Sequence, residues 1–382
     1  MSVRRAQRHT FFAACPPGLE TVLFREVRDL RFARAEAQVG GVRFGGEEPE
    51  GWRAVLHLRC AVRVYRELAA FAAPTADALY AGARALGWGS VLTPDQTFAV
   101  DAKVSGPLHR HSGFAALKVK DAIADWFRER AGVRPWVDPR NPDARVLVRL
   151  IDDRCTLSLD LGGHSLHRRG YRVQVTEAPL GECLAAGAVL LSAWDRKSPF
   201  LDPLCGSGTL LIEAGLIAWG IAPGLLSEDF AFCRSRSFDR GRWEEMRHDA
   251  RRQVRPPGRV ILRGGDKSPE AVAAARRNAA AAGLGDTIRV EESDVADFSP
   301  TPGWGATVVT NPPYGVRLED ADRLVPLYET MGRVFKTRCR GFHVHVFLTS
   351  GRLARALSLR ASRYWPLLNG GIRCRFTRFE IR

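Results

Sequence analysis

Between Ser198 and Ala214 the chain reads SPFLDPLCGSGTLLIEA, and no other stretch limits its fold so tightly. A short apolar run ends at Asp202, two glycines (Gly206 and Gly208) come next, and an apolar helix pattern begins at once. Strand, tight turn and helix in that order make the unit from which parallel sheets are wound. Glycines at such a turn let the backbone approach a ligand, and the helix N-terminus behind them offers unpaired N–H groups. A glycine pair alone is explained equally well by tight packing, so the strands further along the chain decide between the two.

Three more strand tips lie there. Arg259–Gly264 (RVILRG) reads as a second strand closing on Asp266, an acid placed to take ribose hydroxyls. Ile288–Glu291 reads as a third, followed by Asp294, and Thr307–Thr310 as a fourth, leading into Asn311-Pro312-Pro313-Tyr314. Four strand tips that each end in a polar residue, separated by helix-like segments, describe an α/β fold: a doubly wound, mostly parallel sheet with a site along its carboxyl edge.

The tetrapeptide has a chemistry of its own. Two prolines stop the strand, remove two backbone donors and hold Asn311 extended. The Asn311 side-chain oxygen and nearby carbonyls, all acceptors, can then converge on one point beside the aromatic face of Tyr314. A flat ring carrying an exocyclic NH₂ suits such a pocket: it stacks on the tyrosine, and its N–H donors meet the acceptors. A plain strand-to-loop turn is the competing reading of these four residues.

Together, DPLCGSG and Asn311-Pro-Pro-Tyr314 resemble the class I S-adenosylmethionine-dependent methyltransferases, in the branch that methylates exocyclic amines of nucleobases. The first matches that branch's D-P-x-C-G-S-G motif and the second its [NDS]-P-P-[YFW] motif. The resemblance implies S-adenosyl-L-methionine as cofactor, held by Asp202, Pro203, Cys205, Gly206, Ser207 and Gly208 around its methionine part. Asp266 would take the ribose and Asp294 the adenine amine, with Glu182 a weaker candidate for the ammonium. Asn311, Pro312, Pro313 and Tyr314 would form the catalytic tetrapeptide, Asn311 orienting the target amine and touching the cofactor, Tyr314 stacking on the base. One departure stands out: the extra sequence Ala222–Gly258, rich in arginine and aromatics (Phe230, Phe232, Phe238, Trp243), which reads as an insertion, with Trp243 packing beneath it.

The N-terminal half has no acid, base or nucleophile cluster. Its pattern is α+β: a helix over Gly18–Leu30, a hairpin around Gly40-Gly41, a helix around Trp52–Cys60 and a strand Arg63–Leu68. Further on come a helix over 75–87, a strand Thr97–Val104, a long helix Phe114–Arg130 and a hairpin about Asp152-Asp153. The strand 98–105, the run Ala116–Asp125 and the segment Ser158–Gly162 are similar to the ferredoxin-like and THUMP modules of RNA-modifying enzymes. Leu166–Arg172 (LHRRGYR) matches the junction those enzymes place before the catalytic domain. The whole resembles the family of bacterial 23S rRNA guanine-N2 methyltransferases of the RlmL type. This implies a ferredoxin-like domain over 1–70, a THUMP RNA-binding domain over 71–165 and a methyltransferase domain over 166–382. Some members carry a fused second methyltransferase domain; the resemblance here stops at one. Structured RNA is the implied partner, 23S rRNA before tRNA, with Lys118, Lys120, Arg168, Arg169 and Arg172 as candidate phosphate contacts beside the reading of an exposed basic linker. A tRNA guanine-N2 or DNA adenine-N6 methyltransferase stays open, as does a non-catalytic RNA-binding factor.

Composition bounds the rest. The formal charge of +15 argues for an anionic partner, but 51 arginines against 6 lysines, spread through both halves, point to coding bias as well. Eight scattered cysteines without zinc spacing fit a reducing cytosol and no metal. There is no apolar span of membrane length and no leader pattern, so a cytoplasmic protein is expected. His343 and His345 alternate within FHVHVFL, which reads as a strand with one polar face in preference to a two-histidine metal site.

Overall fold

The computed structural model describes residues 7–106, 111–174, 180–256, 258–314 and 318–381. Two seven-stranded sheets carry the chain.

The first sheet holds β1 (His9–Ala14), β2 (Ala33–Gln38), β3 (Gly41–Gly46), β4 (Arg63–Ala72), β5 (Phe98–Ser105), β6 (Ala144–Ile151) and β7 (Arg154–Asp160), in the order β2-β3-β1-β4-β7-β6-β5. Only β5 and β6 run parallel. Along β6, buried and half-buried residues alternate, as a strand with one covered face requires. The ten-residue β4 is longer than expected. It pairs with β1 over Arg63–Arg66 and with β7 from Tyr65 to Ala72, so one sheet holds strands from both sides of residue 70.

Helix α1 (Glu20–Asp29) packs on β2 and β3, and α2 (Glu48–His57) on β4. Helix α2 starts four residues before its expected position because the Glu50 carboxylate accepts a hydrogen bond from the Glu47 N–H at 2.8 Å, capping the first turn. Helices α3 (Ala76–Arg84) and α4 (Ser112–Ala131) pack against each other.

The second sheet holds β8 (Phe200–Asp202), β9 (Leu262–Asp266), β10 (Ile288–Glu292), β11 (Thr307–Thr310), β12 (His343–Leu348), β13 (Ala361–Asn369) and β14 (Ile372–Glu380), in the order β10-β9-β8-β11-β12-β14-β13. Strands β8 to β12 are parallel, and β14 is antiparallel to both neighbours. Around it lie α5 (Glu182–Leu191), α6 (Thr209–Ala218), α7 (Arg240–Arg252), α8 (Pro269–Ala281), α9 (Leu318–Arg338) and α10 (Gly351–Leu357). Strand order reverses between β8 and β11, the point where doubly wound sheets open a crevice.

Two local expectations need correction. Strand β9 is offset from Arg259–Gly264 and takes Asp266 as its last residue. Strand β12 has no polar face beyond its first residue. His343 is exposed, whereas His345 is fully buried and stacked on Phe376 at 5.3 Å, and burial pushes its pKa down to about 3. The strand is covered on both sides, as parallel sheets are.

The insertion joins the two sheets. Phe232 stacks on Trp52 of α2 at 5.6 Å, Phe238 meets the same ring edge-on at 5.5 Å, and buried Trp243 packs edge-on to Phe230 and Phe232. The N–H groups of Ala231 and Phe232 donate to Gly162 O and Leu161 O at 3.2 and 3.0 Å, just past β7. Among the described residues, no helix is long and apolar enough to cross a membrane.

Candidate active site

The carboxyl ends of β8, β9, β10 and β11 bring together the acids and the asparagine singled out in the sequence. Asp202 closes β8 and is buried; its Oδ1 accepts from the Thr310 hydroxyl at 2.7 Å and from the Leu204 N–H at 3.2 Å. Burial, with help from nearby Asp266, pushes its pKa up to about 7 against those two bonds. The Thr310 bond ties the tips of β8 and β11 together across the switch point.

After Asp202 the chain turns through Pro203, buried Cys205, Gly206, buried Ser207 and Gly208. The two glycines have different reasons to be glycine. Gly206 (φ +52°) has no atom within 4 Å of where a Cβ would stand, so the loop faces open space there. Gly208 (φ +81°) has the Ala275 Cβ of α8 only 3.1 Å from that position, so it permits the close approach of a helix. Gly208 is also the N-cap of α6 with no side-chain cap, and the first N–H groups of that helix remain available to an anion.

Asp266 is committed locally. Its Oδ2 accepts from Gly206 N at 2.9 Å and its Oδ1 from Ser268 N at 3.0 Å, so it braces the glycine loop against the start of α8. Each carboxylate oxygen keeps a second acceptor position. Asp294 is exposed after β10 and accepts from Ala296 N at 2.8 Å.

At the end of β11 the Asn311 Oδ1 is buried without a hydrogen-bond partner. The tetrapeptide around it is held firmly: Tyr328 donates to Pro313 O at 3.2 Å and Thr349 to Tyr314 O at 3.3 Å. Pro312 is buried and Pro313 exposed. Tyr314 departs from expectation, for its ring is only 8% exposed and its hydroxyl accepts from the Asn369 amide. Burial pushes the phenol pKa up, against hydrogen bonds from Asn369 and Asn311. An open stacking face is thus not what this ring presents. Residues 315–317, next in the chain, lie outside the described residues.

The junction arginines also need correction. Arg169 is buried, donates to Glu213 Oε1 at 2.8 Å and to Arg59 O at 2.7 Å, and is closed to any phosphate. Its partner Glu213 sits mid-helix in fully buried α6 and also accepts from Tyr171 at 3.0 Å; a carboxylate there demands a cation. Arg172 bonds Glu182 at 3.1 Å, Leu180 O at 2.8 Å and Thr209 Oγ1 at 3.2 Å, joining the starts of α5 and α6 instead of facing RNA. Arg168 alone of the three is exposed. With Gly170, Arg172, Gly181 and Glu182 it lines a cavity of about 420 Å³. Lys118 lies over the Phe114 ring at 5.6 Å and Lys120 beside Asp121 at 3.4 Å, both partly exposed. Junction residues 175–179 lie outside the described residues.

Several residues of the site escaped the sequence reading. Buried Asn278 of α8 accepts from Val173 N and Gln174 N and donates to Ser207 O at 3.1 Å, clamping junction to glycine loop. Thr310, Glu213 and Asn369 were missed as well. Among the described residues, no group of three or more His, Cys, Asp or Glu side chains could hold a metal ion.

Comparison with known proteins gives the chain its relatives. Residues 169–378 match the RMKL-like methyltransferase domain, 73–160 the THUMP domain and 10–65 the RlmL ferredoxin-like domain. The ribosomal RNA large subunit methyltransferase K/L of Syntrophotalea carbinolica is 40% identical over 97% of this chain and 53% of its own length. The chain spans about half the length of the curated relatives it matches. Among solved structures, SMU.472, complexed with SAH, is similar with TM-score 0.90 and 29% identity, over 98% of this chain and 99% of that one. A predicted N6-adenine-specific DNA methylase from Listeria monocytogenes has TM-score 0.88 and 31% identity, over 98% and 97%. The family model spans more than half of the chain and the relatives nearly all of it, and this chain, whose sheet reverses between β8 and β11, belongs to the RMKL-like methyltransferase family.

Proposed function

We propose that this chain transfers a methyl group from S-adenosylmethionine to the exocyclic N2 amine of a guanine in structured RNA, 23S rRNA before tRNA, in the cytoplasm. The observation that carries the reading is the buried, unpartnered Asn311 Oδ1 at the tip of β11. A buried acceptor left unpaired costs about 1–3 kcal/mol. A target amine that donates to it recovers that cost at the place where reaction occurs.

The residues fit the cofactor. Gly206 leaves a space that any Cβ would fill, and the uncapped start of α6 and the carboxylates Asp202, Asp266 and Asp294 border it in sequence along the strand tips. S-adenosylmethionine, when bound, supplies a methyl on a positively charged sulfur that leaves neutral. Little is then asked of the protein beyond alignment, which is worth roughly 7–11 kcal/mol at best. Asn311 holds an N–H of the amine and favours pyramidal nitrogen as the new bond forms, so it orients and does not act as a base. Glu182, paired with Arg172, borders the junction cavity and stays a candidate for the cofactor's ammonium. RNA is held by the sheet of β1–β7 and its helices, with Lys118, Lys120 and Arg168 as phosphate contacts. We divide the chain at about residues 70 and 165, into ferredoxin-like, THUMP and methyltransferase units, with 222–258 as an insertion in the last. The name K/L of the curated relatives, given to large-subunit rRNA methyltransferases, favours rRNA.

Purified chain incubated with labelled S-adenosylmethionine and unmodified rRNA, tRNA or DNA, followed by nucleoside analysis, tests the reading. N2-methylguanosine in rRNA is expected. Methyladenine, or label only in tRNA, replaces the substrate, and no transfer to any of them overturns the reading. Asn311→Ala should lower turnover by roughly 10²–10³ without changing cofactor affinity.

A further inference from the structure

Strand β14 is antiparallel to both β12 and β13, so β13 runs with β12, and the hairpin joining β13 to β14 turns at the carboxyl edge, where the site lies. Leu348, the last residue of β12, is paired with Arg375. Leu367–Asn369 and Ile372–Cys374 therefore run on past the end of β12, by about 10 Å at the usual rise per residue. The turn itself, Gly370 and Gly371, has nothing within 4 Å of where either Cβ would stand. This projection reaches the tetrapeptide, for Asn369 donates to the Tyr314 hydroxyl.

Cross-strand partners share a face of a hairpin, and the two faces here differ. On one, Leu367, Cys374 and Phe376 are buried in the core. On the other, Arg373 and Arg375 are exposed, and Tyr364 is 54% exposed with the Arg375 guanidinium 4.9 Å over its ring. Residues 361–379 hold four arginines and no acid. Among the described residues, the ion pair of this hairpin is made by Arg378, with Glu380, and leaves Arg373 and Arg375 out.

A coding bias adds arginines everywhere, but it does not remove their partners. Two guanidiniums free of carboxylates, beside an exposed phenol ring, suit a polyanion that carries flat rings. The guanidinium fork takes phosphate oxygens and the ring takes the face of an unpaired base. An enzyme that turns one base out of structured RNA needs the backbone beside that base fixed, and phosphate contacts set such a register.

We propose that the outer face of the β13–β14 hairpin grips the substrate RNA beside the target nucleotide, with Arg373 and Arg375 on its phosphates and Tyr364 stacked on an unpaired neighbouring base. The inference rests on the proposed RNA methylation and gives it a substrate contact within the catalytic domain.

Binding to unmodified rRNA and tRNA is measured at several salt concentrations for full-length wild type and variants, with KM and kcat on whichever RNA is methylated. Cofactor affinity, melting temperature and elution volume are read on the same samples. Each arginine lost from a single-stranded contact should lower the slope of log affinity against log salt by about 0.7, which is about 5-fold in affinity at about 0.1 M salt. The double variant Arg373→Gln/Arg375→Gln should thus raise KM about 25-fold, with kcat, cofactor affinity and melting temperature unchanged. Tyr364→Ala should weaken RNA binding at least about 5-fold, and Tyr364→Phe, which keeps the ring, should not. Arg289→Gln removes the same charge from exposed β10, at the opposite edge of the sheet, and should change binding by less than about 2-fold. A double variant with wild-type affinity and slope overturns the inference. So does an Arg289→Gln loss equal to that of Arg373→Gln, which is a bulk charge effect. A double variant changed only in oligomeric state shows that the face meets another copy of the chain, and the inference falls. A wild type that methylates no nucleic acid sinks the proposed function, while the binding titrations still decide for or against the hairpin.

Discussion

Asp202→Asn should make the protein more stable while it disables the cofactor site. In the folded chain Asp202 is 1% exposed, and both bonds it accepts, from Thr310 and Leu204, end on one oxygen. An amide oxygen can accept both, so the substitution preserves geometry and removes only the ionisation. The folded pKa is about 7 against 3.8 for the ordinary group, chiefly through burial. An acid whose pKa is raised on folding binds its proton more tightly in the native state, so stability falls as pH climbs from the unfolded value through the folded one. Each tenfold gain in proton affinity on folding is worth about 1.36 kcal/mol, so between pH 5 and 8 the wild type should lose about 3 kcal/mol relative to Asp202→Asn. Urea titrations of both proteins at about pH 5, 6, 7 and 8 read this group, because titrations not coupled to it cancel in the difference. Calorimetry on the same samples should show weakened S-adenosylmethionine binding. A stability difference that stays flat across that range, or a wild type that gains on the variant as pH rises, would refute the reasoning.

Gly206→Val places a branched side chain at φ +52° in open space, so the cost to the fold should be about 1–3 kcal/mol of backbone strain, while calorimetry should find cofactor affinity lost; retained affinity would mean that this loop is no cradle. Arg169→Met leaves the buried Glu213 carboxylate without its direct ion-pair partner, with only the Tyr171 hydroxyl still donating to it, and urea denaturation should show a loss of roughly 3–5 kcal/mol, most of it recovered when Glu213→Leu is added. Phe232→Ala removes the ring stacked on Trp52 across the two sheets; a loss of about 3–5 kcal/mol is expected, and one below about 1 kcal/mol would mean that the insertion is not structural mortar.

The parts of the site legible from sequence are those where one residue type is forced by its backbone. Gly206, Gly208 and the two prolines announce themselves, and the four strand tips fall where polar residues end apolar runs. The parts that stayed hidden are contacts between distant segments. Glu213 is one polar residue inside the apolar run LLIEA, with nothing near it in the chain to mark it; only the fold, which buries α6 on all sides, makes it a buried carboxylate. Its need for a cation turned Arg169 inward, although HRRGYR reads as an exposed basic linker. Tyr314 was read from its neighbours in the chain, whereas its ring is governed by Asn369, 55 positions on. His345 shows the same limit: alternation predicts a polar face, but only the sheet order shows a strand covered on both sides.

The shared strand β4 has a consequence for how this chain is made. Tyr65 finds its partner in Asp160, 95 positions later. As the polypeptide leaves the ribosome, β1 to β4 can pair early, but β4 then presents an unpaired edge until β7 emerges. At roughly 5–20 residues per second that interval lasts about 5–20 s. Uncovered strand edges recruit other strands. The nascent chain therefore passes through a timed window in which the edge of β4 is open to strands other than its own β7.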